Sequence, residues 1–221
     1  MKDVTRSKLK LAFLLLIVFV PITMATFAFR AATESGGFGG GSVNKGNFIL
    51  PPADITDLAM SDADGAPIFS SFEELVATLE SDDDYEARPW LMVFVNAGAC
   101  DAICEERVFY LRQLHITLGK NVERVRRYYL HADTAPITQQ SANHFREEFP
   151  SMGIAYAQAG ELQQRLAAKG VDIDLSADDY VFFVDPVGNV MMYFDKSHTT
   201  EDIKSDLDRL LQHSSLGQVE S

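Results

Sequence analysis

The chain carries two cysteines, Cys100 and Cys104, within the stretch NAGACDAICEERVFYLRQL. A close cysteine pair can be a structural clip, a redox couple working through a disulfide, or two soft thiolate ligands for a metal such as Cu(I). If both lie in the first turns of one helix they face the same side. Their Cα atoms are then about 6 Å apart, inside the roughly 4.4–6.8 Å window that a disulfide spans. A clip across so short a loop removes little entropy from the unfolded chain, which makes it a poor account of the pair. A helix N-terminus instead carries partial positive charge, which favours thiolate and makes Cys100 a better nucleophile or metal ligand.

Each role needs elements to hold the sulfurs. WLMVFVN, from Trp90 to Asn96, is an apolar run between polar loops, as expected of a strand buried on both faces of a parallel or mixed sheet. It delivers the chain to the cysteines. Beyond Cys100, residues Ile103, Val108, Leu111, Leu114 and Leu118 recur at helical spacing, with Gly119 placed as terminator. RVRRYYLHA then reads as a strand, QQSANHFREEF as a helix ending before Pro150, and AGELQQRLAAKG as a helix closed by Gly170. DYVFFVDPVGNVMMYF reads as two strands around a Pro-Gly-Asn turn, and Thr200 is placed to cap a closing helix in EDIKSDLDRLLQ. Upstream, NFILPPADITDLAM suits a Pro-interrupted edge strand followed by the turn DADG and a short apolar APIF. Ser71 and Glu74 form a capping box for a helix in SFEELVATLE, and the acidic SDDDYE reads as a solvated loop. The alternation with a late hairpin implies a layered α/β domain.

A third ligand or a proton carrier would have to be a histidine, of which there are five. His115 follows Cys104 by eleven residues, about 16 Å along a helix, too far to share a metal. His144 and His213 read as surface residues, and His198 after the last strand has no route to the pair. His131 ends a strand, and functional groups in α/β sheets gather at the carboxyl ends of strands, so His131 is the candidate. Met191 and Met192, adjacent on a strand, point to opposite faces and form no copper pair. Glu105, Glu106 and Arg107 read as a solvated helix face.

The pair's compartment is set by the N-terminus. Leu11 to Phe29 contains no charge over nineteen residues, enough to cross the hydrocarbon layer as a helix. Lys2, Arg6, Lys8 and Lys10 precede it and only Arg30 follows closely, which predicts an outward-facing remainder. An uncleaved single-pass anchor is the reading taken, with a cleavable signal peptide as the alternative. The expected organisation is 1–30 cytoplasmic N-terminus and anchor, 31–46 Gly-rich linker, 47–213 folded domain and 214–221 polar tail. After Arg30 there are 14 basic and 31 acidic residues, a net −17. So acidic a domain makes a poor nucleic-acid binder; the charge serves solubility or, alternatively, docks a basic partner. In the periplasm, disulfides form and persist.

NAGACDAICEERVFYLRQLHITLG after a buried strand, followed by VRRYYLHAD and DLSADDYVFFVDPVGNVMMYF, resembles the Sco/SenC proteins, over about residues 44–212. The likeness is greatest to a membrane-anchored bacterial branch associated with oxidase biogenesis, which shares a KGNFILPP-like segment. The resemblance implies a thioredoxin-like mixed sheet flanked by helices. It also implies a role in assembling cytochrome c oxidase, with an oxidase subunit or its assembly factors as partners and the bacterial inner membrane as location. In that family two cysteines and a distant histidine hold copper, the histidine lying just before an Asp-Pro-x-Gly hairpin. Here Leu175 stands at that position, between Asp174 and Ser176, and cannot ligate copper; Glu105 replaces the proline that often follows the second cysteine.

The leading expectation is therefore a membrane-tethered periplasmic assembly factor for a copper-containing respiratory oxidase that acts through reversible thiol-disulfide exchange, with Cys100 attacking and Cys104 resolving. The alternatives are a Cu(I) carrier with a two-thiolate site at Cys100 and Cys104, which suits Cu(I) even without imidazole, His131 remaining the one candidate for a further ligand, and a non-catalytic scaffold that binds an oxidase subunit.

Overall fold

A computed structural model describes residues 2–34, 43–62, 64–69, 76–77, 88–96, 98–132 and 137–215. The expected helix in SFEELVATLE, apart from two residues, and the SDDDYE loop lie outside them. The elements are α1 (Lys2–Glu34), β1 (Asn47–Asp54), β2 (Ser61–Asp62), β3 (Trp90–Asn96), α2 (Ala102–Ile116), a 3₁₀ turn (Gly119–Arg124), β4 (Val125–His131), α3 (Gln139–Glu148), β5 (Met152–Tyr156), α4 (Ala159–Ala167), β6 (Tyr180–Val184), β7 (Asn189–Phe194) and α5 (Thr200–His213).

By its contacts the chain falls into two units, Met1–Val43 and Asn44–Ser221. The first contains α1, whose span Phe13–Ala31 has 19 residues and a mean hydropathy of 2.1, long and apolar enough to cross a membrane. Pro21 sits inside the helix. Thr23 and Thr26 return their hydroxyls to carbonyls one turn back, at 2.9 Å to Phe19 and 2.8 Å to Ile22, so neither leaves a polar group unsatisfied in an apolar surround.

The second unit is built on a sheet ordered β1-β7-β6-β3-β4-β5-β2. Strands β3, β4 and β5 are parallel, and β6, β7 and β1 continue antiparallel from β3. All of β3 is buried, as its unbroken apolar run requires of a central strand. Its alternate residues feed two apolar layers. Trp90, Met92 and Phe94 pack with Val108 and Leu111 of α2, Phe145 of α3 and Leu207 of α5. Leu91, Val93 and Val95 face the other way, toward Ile49 of β1, Leu162 and Leu166 of α4, and Leu175.

β1 is an edge strand, and its register with β7 breaks between Phe48 and Ala53, where the two prolines sit. Its lead-in is fastened to α5: buried Asp206 accepts the backbone N–H groups of Lys45 at 2.7 Å and Gly46 at 2.8 Å through Oδ2. Three details differ from expectation. Thr199, not Thr200, caps α5, and it forms the reciprocal capping box with Asp202. β5 is a strand that the sequence pattern does not predict. Cys100 lies just outside α2, whose N-cap is Asp101.

Candidate functional site around Cys100

Asn96 ends β3 and organises the loop that carries Cys100. Its Oδ1 accepts the N–H of Gly98 at 3.2 Å and the hydroxyl of Tyr129 at 3.2 Å, while its Nδ2 donates to Asp179 Oδ1 at 2.8 Å. One amide thus ties the cysteine loop, β4 and the approach to β6. Asp101 then starts α2 by accepting the N–H groups of Ile103 and Cys104, at 3.1 and 3.0 Å. Cys100 therefore stands one residue before the cap and Cys104 within the first turn. The two are joined by a disulfide with Cα atoms 5.2 Å apart. Cys104 is 1% exposed, whereas Cys100 is only partly covered, so an incoming sulfur has one target.

The parallel pairing of β3 and β4 sets Asn96 level with His131. Both strands end on the same side of the sheet, and this brings His131 to the cysteine loop. His131 is buried, its ring stacked on Tyr129 with centroids 6.4 Å apart. It lines a cavity of ≈ 370 Å³ together with Cys100, Glu105, Tyr129, His144 and Phe145. Tyr129 also stacks on Phe145 at 4.4 Å, giving the cavity an aromatic floor, and burial pushes the Tyr129 hydroxyl pKa up, so it stays a neutral donor to Asn96. On the rim His144 Nε2 meets Glu105 Oε1 at 3.0 Å, bridging α3 to α2.

Of the expected solvated face, Glu106 is exposed and Glu105 half-exposed, whereas Arg107 turns partly inward. Arg107 donates to the Asp195 carbonyl at 3.0 Å. Burial lowers its pKa, opposed by the nearby carboxylates of Asp179 and Asp195. Burial raises the pKa of Asp179, against the hydrogen bond from Asn96 and the charge of Arg107, which lower it.

Two other histidines are occupied elsewhere. His115 meets the carbonyls of Val125 at 2.7 Å and Val122 at 3.1 Å. His198 bridges Asp195 at 2.9 Å and the Lys45 carbonyl at 3.0 Å. His144 is the histidine whose place the sequence does not reveal: α3 alone shows it as a half-exposed helix residue, and its position beside Cys100 depends on how α3 packs on α2.

Leu175 is fully buried in the apolar layer with Val93 and Leu166, on the sheet face opposite to the layer holding Cys104. The loop before β6 reaches the site through Asp179 instead. As for copper, the reduced pair offers two soft thiolates suited to Cu(I). Among the described residues no group of three His, Cys, Asp or Glu side chains could hold a metal ion.

Residues 90–214 match the family described as "Transmembrane-like, thioredoxin-like, C-terminal domain". The chain belongs to that thioredoxin-like family. No curated protein matches it. Among solved structures the thioredoxin-like domain is similar to yeast Sco1 with copper bound, at 14% identity and a TM-score of 0.49, covering 79% of this chain and 96% of that one. It is similar to BsSco, a member of the Sco family of cytochrome c oxidase assembly proteins with a disulfide switch, at 15% identity and 0.47, over 78% and 99%. Arabidopsis thaliana ScoI with copper bound matches at 14% and 0.45, over 58% and 88%.

Proposed function

We propose that the protein is a membrane-tethered thiol-disulfide exchange factor in the assembly of a copper-containing respiratory oxidase. Residues 1–30 would be the inner-membrane anchor, 31–46 the tether, 47–213 the working domain in the periplasm and 214–221 a polar tail. The observation that carries the reading is the asymmetry of the pair: a Cys100–Cys104 disulfide in which Cys100 is only partly covered and lines a cavity while Cys104 is buried. The oxidase half of the reading rests on the sequence resemblance to Sco/SenC proteins.

In the reduced state the Cys100 thiolate attacks one sulfur of a partner disulfide. The partner's S–S bond breaks, its second sulfur leaves as a thiol after taking up a proton, and a mixed disulfide remains. Cys104, deprotonated in turn, attacks Cys100 Sγ and expels the first partner sulfur. Two electrons have passed from the pair to the partner, which ends as a dithiol. Cys104 is positioned for that second step because its Cα already lies 5.2 Å from that of Cys100. A dithiol reductant must then reopen the bond.

Alkylation of the free thiols across a dithiothreitol redox series tests this. The expected midpoint is less negative than the roughly −300 mV below which structural disulfides lie. A bond that opens only under more reducing conditions makes it a clip and favours the scaffold reading.

A Cu(I) carrier is the second reading, favoured by the shared cavity of Cys100 and His131. It predicts Cu(I) binding abolished by Cys100→Ser or Cys104→Ser, weakened by His131→Ala, and absent from the oxidised protein.

A further inference from the structure

α2 carries exposed apolar residues outside its buried stripe. Its inner residues Cys104, Val108, Leu111 and Leu114 enter the core, yet Ile103, Phe109, Tyr110 and Ile116 on the outside are 73%, 45%, 47% and 58% exposed. These four interrupt the polar outer face that Glu105, Glu106, Arg112 and Gln113 otherwise give the helix, where a surface helix is expected to be polar. The exposed residues Ile103 and Tyr110 also line a groove of ≈ 710 Å³ between α2 and the start of α5, whose far wall includes Glu201 and Lys204. Ile103 follows Cys100 by three residues, so this end of the groove lies close along the chain to the residue that lines the neighbouring cavity.

We propose that the α2–α5 groove, anchored on Ile103 and Tyr110, docks a basic polypeptide segment that presents its cysteine to Cys100. The proposal rests on the thiol-disulfide reading and specifies the partner's chemistry.

Charge selects the occupant. Two cations, Arg107 and Lys204, line the groove beside two acids, but both cations stand among further carboxylates: Lys204 pairs with Asp208, and Arg107, which donates to the Asp195 carbonyl, feels the charges of Asp179 and Asp195. Glu106 and Glu201 remain on its walls, with Glu106 also accepting the Tyr110 hydroxyl at 3.2 Å. The surrounding chain adds to this, since residues after Arg30 carry a net −17 from 14 basic and 31 acidic side chains. A second copy of so acidic a domain is repelled, as is an anionic lipid surface, whereas a lysine- or arginine-rich segment with an apolar anchor is attracted. The redox step is the two-stage exchange through Cys100 and Cys104, with the segment's disulfide as oxidant.

The test uses the full-length protein in neutral detergent, reduced and freed of reductant. Its probes are two synthetic peptide disulfides, each with a phenylalanine beside the cysteine, one lysine-rich and one glutamate-rich. Hydroxyethyl disulfide, small and neutral, serves as reference. At low salt the lysine-rich peptide is expected to be reduced about tenfold faster than the glutamate-rich one, with the gap closing near 1 M salt. Ile103→Ser and Tyr110→Ser should each slow its reduction at least about threefold relative to the reference, while Leu50→Ser, an equally exposed apolar change on β1, should not.

Equal rates for the two peptides, or indifference to both groove variants while hydroxyethyl disulfide is still reduced, overturn the docking surface and leave the exchange reading standing. Failure to reduce any of the three disulfides defeats the exchange reading. In that event a fluorescent, cysteine-free version of the basic peptide still measures docking by anisotropy, and absence of Ile103-dependent binding overturns the groove itself. An Ile103-dependent dimer on sedimentation, or Ile103-dependent flotation with phosphatidylglycerol vesicles, assigns the face to another occupant and overturns the proposal.

Discussion

Cys104 owes its burial to its place in the first turn of α2, and Cys100 owes its accessibility to standing before the cap. The same arrangement tempers the helix-dipole argument. The Asp101 carboxylate takes the N–H groups of Ile103 and Cys104, and Glu105 adds another acid in that turn, so the positive end of α2 is partly neutralised where Cys100 sits. Leu175 makes the residue-scale prediction. Its position in the sequence resemblance suggests that Leu175→His would supply a missing copper ligand, but Leu175 is 0% exposed within the apolar layer on the sheet face opposite to that of Cys104. The variant should therefore bury an imidazole among aliphatic groups and lose about 2–4 kcal/mol of stability, without gaining Cu(II) retention. Urea unfolding and Cu(II) charge-transfer absorption of the same sample check both halves; a stable variant holding Cu(II) would show residue 175 beside the cysteines. The cysteine pair and His131 are legible in the sequence because spacing and strand ends are local properties. His144 and Asp179 are not, because each meets the site only through packing between distant segments.

The strands and helices show the same division. β3 announces itself through an unbroken apolar run, the β6–β7 hairpin through its turn, and β1 through prolines that only an edge tolerates. β5 escapes the pattern because it is short and contains Gly153. That glycine is needed for close approach, since a Cβ there would come within 2.4 Å of the Tyr128 ring, a contact that no pattern along β5 itself reveals. The fastening of β1 to α5 is also invisible, because Asp206 looks like any acid on an amphipathic helix until its partners 160 and 161 residues away are known. Asp206→Ala removes the acceptor for both the Lys45 and Gly46 N–H groups. It should lower unfolding stability by about 3 kcal/mol, since hydrogen bonds to a charged group are each worth about 1.5–3 kcal/mol. The single tryptophan, Trp90, is 3% exposed and reports unfolding by fluorescence. An unchanged urea midpoint would mean that the lead-in to β1 adds nothing to the sheet's stability.

Across the whole molecule, the strongest constraint is the contrast between an uncharged N-terminal run and a strongly acidic remainder. Phe13–Ala31 is long enough at 19 residues, about 28 Å of helix, to span the hydrocarbon layer. Orientation is a separate question, and the charges around the run bear on it. Lys2, Arg6, Lys8 and Lys10 stand before the run against Arg30 after it, a bias that favours a cytoplasmic N-terminus. The chemistry depends on this outcome, because a Cys100–Cys104 disulfide formed in the periplasm persists whereas the cytosol keeps such pairs reduced. Fusions after residue 46 are therefore expected to activate a periplasm-dependent reporter such as alkaline phosphatase and to leave a cytoplasm-dependent fluorescent reporter dark. The mature protein should keep its first residues. A fluorescent cytoplasmic fusion would invert the topology and remove the oxidising compartment on which the proposed exchange cycle relies. A mature N-terminus near Phe29 would make the apolar run a cleaved signal instead, leaving the exchange chemistry intact but freeing the domain from the membrane.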